Sequence, residues 1–456
     1  MTIKTYDLVI IGSGPGGYET AIKASCKGMS VALIEKNQIG GTCLNVGCIP
    51  TKTLYQSAKI VKELKESSTY GIHCENVQVK LDEVINRKNE VVTQLKQNIK
   101  TMLNNSGVTV YYGVGSFIED RRIHISNETA NEIIGYKHCI IASGSKEFRI
   151  PIPGIDLPGV ITSKEILDLE SIPEKLVIIG GGVIGCEMAA IYQQFGSQVT
   201  IVEALDRILN TLDKDISTRM KSMMKKDGID IQTSTKVLEI AEKNGELIVV
   251  AENKKGKIEF SASHVLLAVG RKPCVEHLNL QDVGIEYNRG GIVVNESFKT
   301  TKDGVYAVGD CIGGKMLAHT ATFQSYVVLD QILGQENHTN FAATPACVFT
   351  YPEIASVGLD EEEAKTLYGE VKVKKALYRA NGKANAMGSV DGFIKVITHD
   401  DELIGVHILG EGASTIVHEA SLIIDKKIKV SECVHSIHAH PTLSEVLLEA
   451  LRGLCE

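Results

Sequence analysis

At 456 residues the chain has room for about three domains of roughly 150 residues, each with a core of its own. Apolar residues make up 43% and charged residues 23%, a globular balance that excludes long disordered stretches. With 48 basic and 56 acidic side chains the net charge is −8, which speaks against a polyanion-binding surface and against nucleic acid as a partner.

The first apolar run, Leu8 to Ile11, has no cationic leader before it, and the longest, Leu176 to Tyr192, is broken by glycines and by Glu187. The expectation is a cytoplasmic protein with no membrane partner. Eleven scattered cysteines are too sparse for a secreted disulfide scaffold. Nine of them are expected to be small core hydrophobes. Cys43 and Cys48, five positions apart, call for another explanation.

The chain contains two copies of one unit. Residues 8–35 read LVIIGSGPGGYETAIKASCKGMSVALIE, and residues 176–203 read LVIIGGGVIGCEMAAIYQQFGSQVTIVE, with 12 of 28 positions identical. Each copy predicts a buried strand, a Gly-x-Gly-x-x-Gly turn, a helix and a second strand. The glycines are Gly12, Gly14 and Gly17 in the first copy, and Gly180, Gly182 and Gly185 in the second. Such a turn places unpaired helix N–H groups and the helix dipole where a pyrophosphate can bind. Each copy closes on an acid, Glu35 and Glu203, which suits the ribose of a dinucleotide and opposes a 2′-phosphate. Two ordinary β-α turns with chance glycines would look alike singly, but both copies share strand, helix and acid, which favours two dinucleotides.

Between the copies, Val84, Val91, Val92, Leu95, Ile99 and Leu103 predict a long amphipathic helix over 76–106. Strands are expected at 108–112, 123–125 and 138–142, and a Pro-rich stretch over 150–159 leads to the second copy. Alternating patterns at 229–250 and 258–267 predict further strands, and from about 341 short strands and two helices form a last unit.

Cys43 and Cys48 sit in Gly40-Gly41-Thr42-Cys43-Leu44-Asn45-Val46-Gly47-Cys48-Ile49-Pro50-Thr51-Lys52. They read as a redox disulfide, half of a zinc site or core thiols. No other Cys/His cluster has ligand spacing, so no metal is expected, and a glycine-rich loop is an odd place for core thiols. A redox disulfide beside a dinucleotide implies a two-electron relay, and a flavin mediates between thiols and nicotinamide. On that reasoning the first copy takes FAD and the second takes NAD as co-substrate. Ala204 after Glu203, with no base nearer than Arg207, favours NAD over NADP.

These motifs resemble the flavin-dependent pyridine nucleotide–disulfide oxidoreductases along nearly the whole chain. GGTCLNVGCIPTK is similar to that family's redox-disulfide motif, AVGD (307–310) to its second flavin contact, and HAHPTLSE (438–445) to its C-terminal acid–base motif. Within the family the chain is most similar to members that reoxidise protein-bound dihydrolipoyl groups with NAD, and glutathione- or mercuric-reductase-like activity is the alternative. The resemblance implies an α/β fold with two Rossmann-like dinucleotide-binding domains and a C-terminal α+β dimerisation domain. It implies residues 1–148 for FAD and the redox disulfide, 149–272 for NAD, 273–340 completing the FAD site and 341–456 as the interface domain with a catalytic His. It implies one tightly bound FAD per subunit and a homodimer. The partner it implies is a lipoyl-bearing protein of a 2-oxo acid dehydrogenase complex or of the glycine cleavage system.

By the same resemblance Cys43 exchanges with substrate, Cys48 faces the flavin, and Lys52 lies by the flavin ring paired with Glu187. Gly115, Ser143, Gly144, Asp310 and Ala318 match flavin contacts, and Val237 and Gly270 match NAD contacts. His440 is the base and Glu445 its orienting acid, supplied across the two-fold interface. From the residues alone, Thr442-Leu443-Ser444-Glu445 equally reads as a helix capping box, and His440 before Pro441 as a turn residue. His438 is assigned to structure.

Overall fold

The computed structural model describes residues 3–119, 121–128 and 131–455. Three sheets organise it, and the apolar runs explain where each begins. Strand Lys4–Ile11 buries Leu8, Val9 and Ile10 completely because it is central in its sheet, flanked in parallel by Val31–Glu35 and Asn131–Ile141. Beyond these lie Thr109–Tyr112 on one side and an antiparallel pair, Arg122–Ser126 and Val114–Ile118, on the other. Val305–Ala307, far along the chain, adds to this sheet in parallel against Cys139, Ile140 and Ile141. The strand expected at 138–142 is therefore the end of one that starts at Asn131.

The second copy repeats the plan. Lys175–Ile179 lies between Gln198–Val202 and His264–Leu267, with Asp230–Gln232 and Val160–Thr162 outside, all parallel. The alternating stretch beyond it is an antiparallel meander of Lys236–Lys243, Glu246–Asn253 and Gly256–Ala262.

The last sheet is antiparallel, in the order Ala346–Val348, Ile354–Gly358, Glu402–Leu409, Phe393–His399, Lys372–Leu377. Here the expectation of two helices is corrected. Glu361–Tyr368, Ala413–Asp425 and Glu445–Cys455 are helical, as are the short Gly382–Ala386 and Val430–Cys433. Glu361–Tyr368 starts on a full capping box between Asp360 and Glu363, a polar signal that hydrophobic periodicity misses. The long helix runs from Leu81 to Asn105, starting later than expected because apolar periodicity begins only at Leu81.

One core cluster joins all three parts around the redox loop. Leu54, Tyr55 and Ala58 of helix Cys48–Glu66 pack with Met188 and Tyr192 of helix Val183–Phe195, and with Val348 and Tyr351 of the last unit. Tyr55 and Tyr351 stack with ring centroids 4.8 Å apart, and the Tyr351 hydroxyl donates to the Tyr55 carbonyl at 2.7 Å. The helix that begins at Cys48 is thus fixed by contacts from three parts of the chain.

The cysteines divide by position. Cys139, Cys186, Cys274, Cys311 and Cys433 are buried, as expected of small core hydrophobes. Cys26, Cys74 and Cys455 are exposed, which corrects that expectation: each lies near an element end or in a loop that faces solvent.

Candidate active site

The two glycine turns have the same geometry. Gly12 and Gly180 take φ of +106° and +109°, and a Cβ on either would overlap the carbonyl of Ala142 or Ala268, just past the end of the neighbouring strand. Gly17 and Gly185 press on the carbonyls of Gly12 and Gly180, so helix and strand approach closely. Gly14 and Gly182, at the N-caps, have nothing within 4 Å of a would-be Cβ. That open space over a helix N-terminus is a cradle for a phosphate.

The acids repeat as well. Glu35 accepts the Ser13 N–H at 3.1 Å, the Ser13 hydroxyl at 2.5 Å and the Asn37 N–H at 2.7 Å. Glu203 accepts the Gly181 N–H at 2.6 Å and the Leu205 N–H at 2.7 Å. In each copy one carboxylate ties the glycine turn to the chain beyond the strand and keeps lone pairs for ribose hydroxyls.

A cavity of about 1950 Å³ runs along the first copy. Gly12, Gly14, Glu35, Cys43, Cys48, Lys52, Gly115, Ser143, Gly144, Glu187, Asp310 and Ala318 all line it. Gly17 lies beneath, buried. Asp310 accepts the Ser145 hydroxyl at 2.5 Å, and Ala318 opens helix Ala318–Ile332, whose N–H groups are aimed at the cavity. A space of this size, lined by an open helix N-terminus, a carboxylate and two neighbouring cysteines, suits FAD. Gly180, Gly182, Gly185, Glu203 and Gly270 stand outside that cavity, with nothing within 4 Å of a would-be Cβ at Gly182 or Gly270. Val237 is buried in a core cluster, so only its backbone is free to meet a nucleotide.

Cys43 lies in the short helix Gly41–Val46, and Cys48 opens helix Cys48–Glu66 after Gly47. The two side chains lie within hydrogen-bond reach of each other. Their acidities are split. The hydrogen bond from Cys43 brings Cys48 down to about 7, and Lys52, one turn along the same helix, pulls the same way against burial. Cys43, donating that bond and half-buried, is driven far above the usual thiol range. A thiolate at a helix N-terminus is also favoured by the helix dipole. Lys52 donates to both oxygens of Glu187 at 3.0 and 2.9 Å, and Glu187 also accepts the Phe349 N–H at 2.9 Å. The Lys52 ammonium lies 4.6 Å over the Phe349 ring.

Sequence reasoning missed several residues in this cavity. Lys88, 3% exposed on the long helix, pairs with Asp168 and lines it. His319 Nε2 donates to the Pro345 carbonyl at 2.8 Å, and Cys347 lines the wall near Lys52. Cys347 is pushed up to about 11 by burial, so it stays a neutral thiol. None carries a motif; only the fold brings them there.

His440 and Glu445 are on another face, away from the cavity within one chain. Glu445 accepts from His440 Nδ1 at 3.0 Å with one oxygen and from the Thr442 N–H at 2.8 Å with the other. The capping bond and the imidazole bond therefore coexist on one carboxylate. The Thr442 N–H and His440 together lower the Glu445 carboxyl below its usual value. The His440 side chain is 78% exposed. His438 is different: both ring nitrogens are engaged, with Glu419 at 2.9 Å and the Ser436 carbonyl at 3.2 Å.

Residues 6–325 match the pyridine nucleotide-disulphide oxidoreductases and residues 344–451 match the dimerisation domain of the same family. The chain belongs to that family, whose members are flavoprotein oxidoreductases using FAD and NAD(H). It is 37% identical over 450 residues to a dihydrolipoyl dehydrogenase of Bacillus subtilis, covering 97% of both chains. It is 37% identical to the mitochondrial dihydrolipoyl dehydrogenase of Pisum sativum, covering 97% of this chain and 90% of that one. The solved HOCl-induced flavoprotein disulfide reductase of Escherichia coli, as its Cu(II) complex, superposes with a TM-score of 0.89 at 30% identity, covering 99% of each. Among the described residues no helix is long and apolar enough to cross a membrane, and no group of three or more His, Cys, Asp or Glu is placed to hold a metal ion.

Proposed function

We propose that the chain oxidises protein-bound dihydrolipoyl groups with NAD, as a homodimer with a shared site. The observation that carries this is the Cys43–Cys48 pair, split into thiol and thiolate, opening on the same cavity as the Lys52–Glu187 pair. The dihydrolipoyl relatives support the substrate class.

The cycle starts from the Cys43–Cys48 disulfide. His440 of the partner subunit removes the proton of one substrate thiol, with Glu445 holding the ring and stabilising its cation. The substrate thiolate attacks Cys43 Sγ; the Cys43–Cys48 bond breaks and Cys48 leaves as a thiolate. The second substrate sulfur attacks the substrate sulfur bound to Cys43; the bond to Cys43 breaks and the lipoyl disulfide forms, the proton of the second thiol passes to Cys43, and the first proton leaves His440 to solvent. Two electrons now rest on the cysteine pair, and Lys52 holds the charge on Cys48. When bound, FAD supplies the two-electron relay from the dithiol to the nicotinamide. Gly12, Gly14, Glu35, Gly115, Ser143, Gly144, Asp310 and Ala318 would hold the flavin nucleotide, and Gly180, Gly182, Gly185, Glu203, Val237 and Gly270 the NAD. In this reading residues 1–148 and 273–340 carry FAD, 149–272 NAD, and 341–456 the pairing face, and the protein works in the cytoplasm on a lipoyl-bearing partner.

The test is steady-state turnover of the purified holoenzyme with NADH and either lipoamide or glutathione disulfide. Turnover should depend on lipoamide; equal efficiency with glutathione disulfide overturns the substrate assignment.

A further inference from the structure

Far from the redox pair, a lysine is buried at the junction between the second dinucleotide unit and the last sheet. Lys395, on strand Phe393–His399 next to the edge strand of that sheet, is 2% exposed. It donates to Asp213 at 2.9 Å, Asp215 at 2.7 Å and Glu361 at 2.6 Å. An ammonium this buried needs such partners, and so do they: Asp213 is also 2% exposed.

Asp213 caps helix Lys214–Lys226, accepting the Asp215 N–H at 3.0 Å with its other oxygen. From that helix Ser217 donates to the Ile208 carbonyl at 2.5 Å. Ile208 packs where a Cβ on Gly181 would fall, and the Leu209 N–H donates to the Gly181 carbonyl at 2.7 Å. Leu209 holds φ at +49°, a conformation that a leucine keeps only when its surroundings impose it. The segment after Glu203 is thus pressed onto the second glycine turn in a strained shape, and the helix bonded to it is capped by Asp213, which Lys395 ties to the last sheet.

We propose that Lys395 is a positioning residue for the nicotinamide nucleotide: by pinning Asp213 to the last sheet it holds Ile208 and Leu209 against the second glycine turn. The last unit therefore serves the nucleotide site as well as the dimer face. The proposal rests on the second copy being the NAD site.

The test uses the holoenzyme. Lys395→Met should leave FAD content and the KM for lipoamide unchanged, with kcat within threefold, and raise the KM for NADH at least tenfold. A global loosening would move both KM values together, and that outcome overturns the proposal. If Lys395→Met yields no folded protein, Ser217→Ala decides, because it loosens the same link without stranding a buried charge. Its NADH KM should rise about threefold with the lipoamide KM constant, and an unchanged NADH KM overturns the proposal. Glu203→Ala run in parallel separates the two readings. If it also leaves the NADH KM unchanged, the second copy is not the nucleotide site and the proposal falls with that assignment; if it raises the KM while the other variants do not, only the role of Lys395 is wrong.

Discussion

The two βαβ copies differ less in their glycines than in what surrounds their acids. Glu35 is 6% exposed and takes three hydrogen bonds, one from the Ser13 hydroxyl. Glu203 is half-buried and takes two, because Gly181 stands where the first copy has Ser13. Beyond the first copy the chain turns into the cysteine loop, and strand Val305–Ala307 and helix Ala318–Ile332 return to wall the site. Beyond the second it leaves the glycine turn outside that cavity. One unit thus has two settings: walled, it suits a cofactor that stays; outside that cavity, it suits one that comes and goes. The Glu one turn into each helix shows the same divergence. Glu19 is bonded by the Tyr18 and Tyr326 hydroxyls of its own neighbourhood, whereas Glu187 reaches across to Lys52 beside the redox pair. The open copy thereby touches the chemistry of the closed one.

The largest expected effect removes the proposed base, His440, which lies in neither copy. His440→Gln should lower lipoamide-dependent turnover by about two to four orders of magnitude, the usual worth of a positioned base. FAD content and NADH oxidation by dye acceptors should persist, since they need only the two copies. Mixing His440→Gln chains with Cys43→Ser chains under subunit exchange should restore activity to about half per dimer, because one of two sites is then intact. No recovery under demonstrated exchange would remove the shared site.

A second test bears on the closed copy. Cys48 titrates near 7 against an ordinary 9, so in the folded protein the thiolate persists as pH falls until about 7. At pH 7 that makes its thiolate fraction about fiftyfold that of an ordinary thiol. Because the folded value is the lower one, this group adds stability that is full above about pH 9 and is lost as pH falls through 7. In the two-electron-reduced holoenzyme, the long-wavelength absorbance of a thiolate lying against oxidised flavin should fade with a midpoint near pH 7 as pH falls, and should be missing from Cys48→Ser. Persistence of that band in Cys48→Ser would reverse the assigned roles.

For the open copy, Glu203 should repel a 2′-phosphate by a few kcal/mol at a partly solvated distance of a few ångströms. NADH should exceed NADPH by well over tenfold in kcat/KM, and Glu203→Ala should erase most of that gap. Equal use of both nucleotides by the unsubstituted enzyme contradicts the reading of this acid.

Much of this was legible because it is local. Both glycine turns, both acids and the cysteine loop depend on residues within a few dozen positions, and a buried parallel strand announces itself as a continuous apolar run. The Glu445 bonds were legible only as alternatives, capping box or ring partner, and one carboxylate makes both. What escaped depends on distant parts of the chain meeting. Lys88 reads as a solvent-facing polar position on its helix until Asp168 meets it. Lys395 interrupts an apolar strand, and its three carboxylates come from positions as far as 182 residues away. The helices Gly382–Ala386 and Val430–Cys433 are too short to show a period at all.

The finest test exchanges the residue that distinguishes the acids. Ser13→Gly gives the first copy the second copy's turn. It removes the hydroxyl bond to Glu35 and leaves both backbone bonds in place. A hydrogen bond to a charged group contributes about 1.5 kcal/mol, close to a tenfold change in an equilibrium constant. Glu35 would be freer to turn away from a ribose, so FAD should dissociate up to about tenfold faster, measured by flavin fluorescence after dilution. The converse, Gly181→Ser, places a side chain where Ile208 and the Glu203 carboxylate already press on the glycine, so it should not tighten NADH. If Ser13→Gly leaves the FAD dissociation rate untouched, the extra bond is not what separates the two sites. The difference would then lie in the walls that Val305–Ala307 and Ala318–Ile332 build around the first.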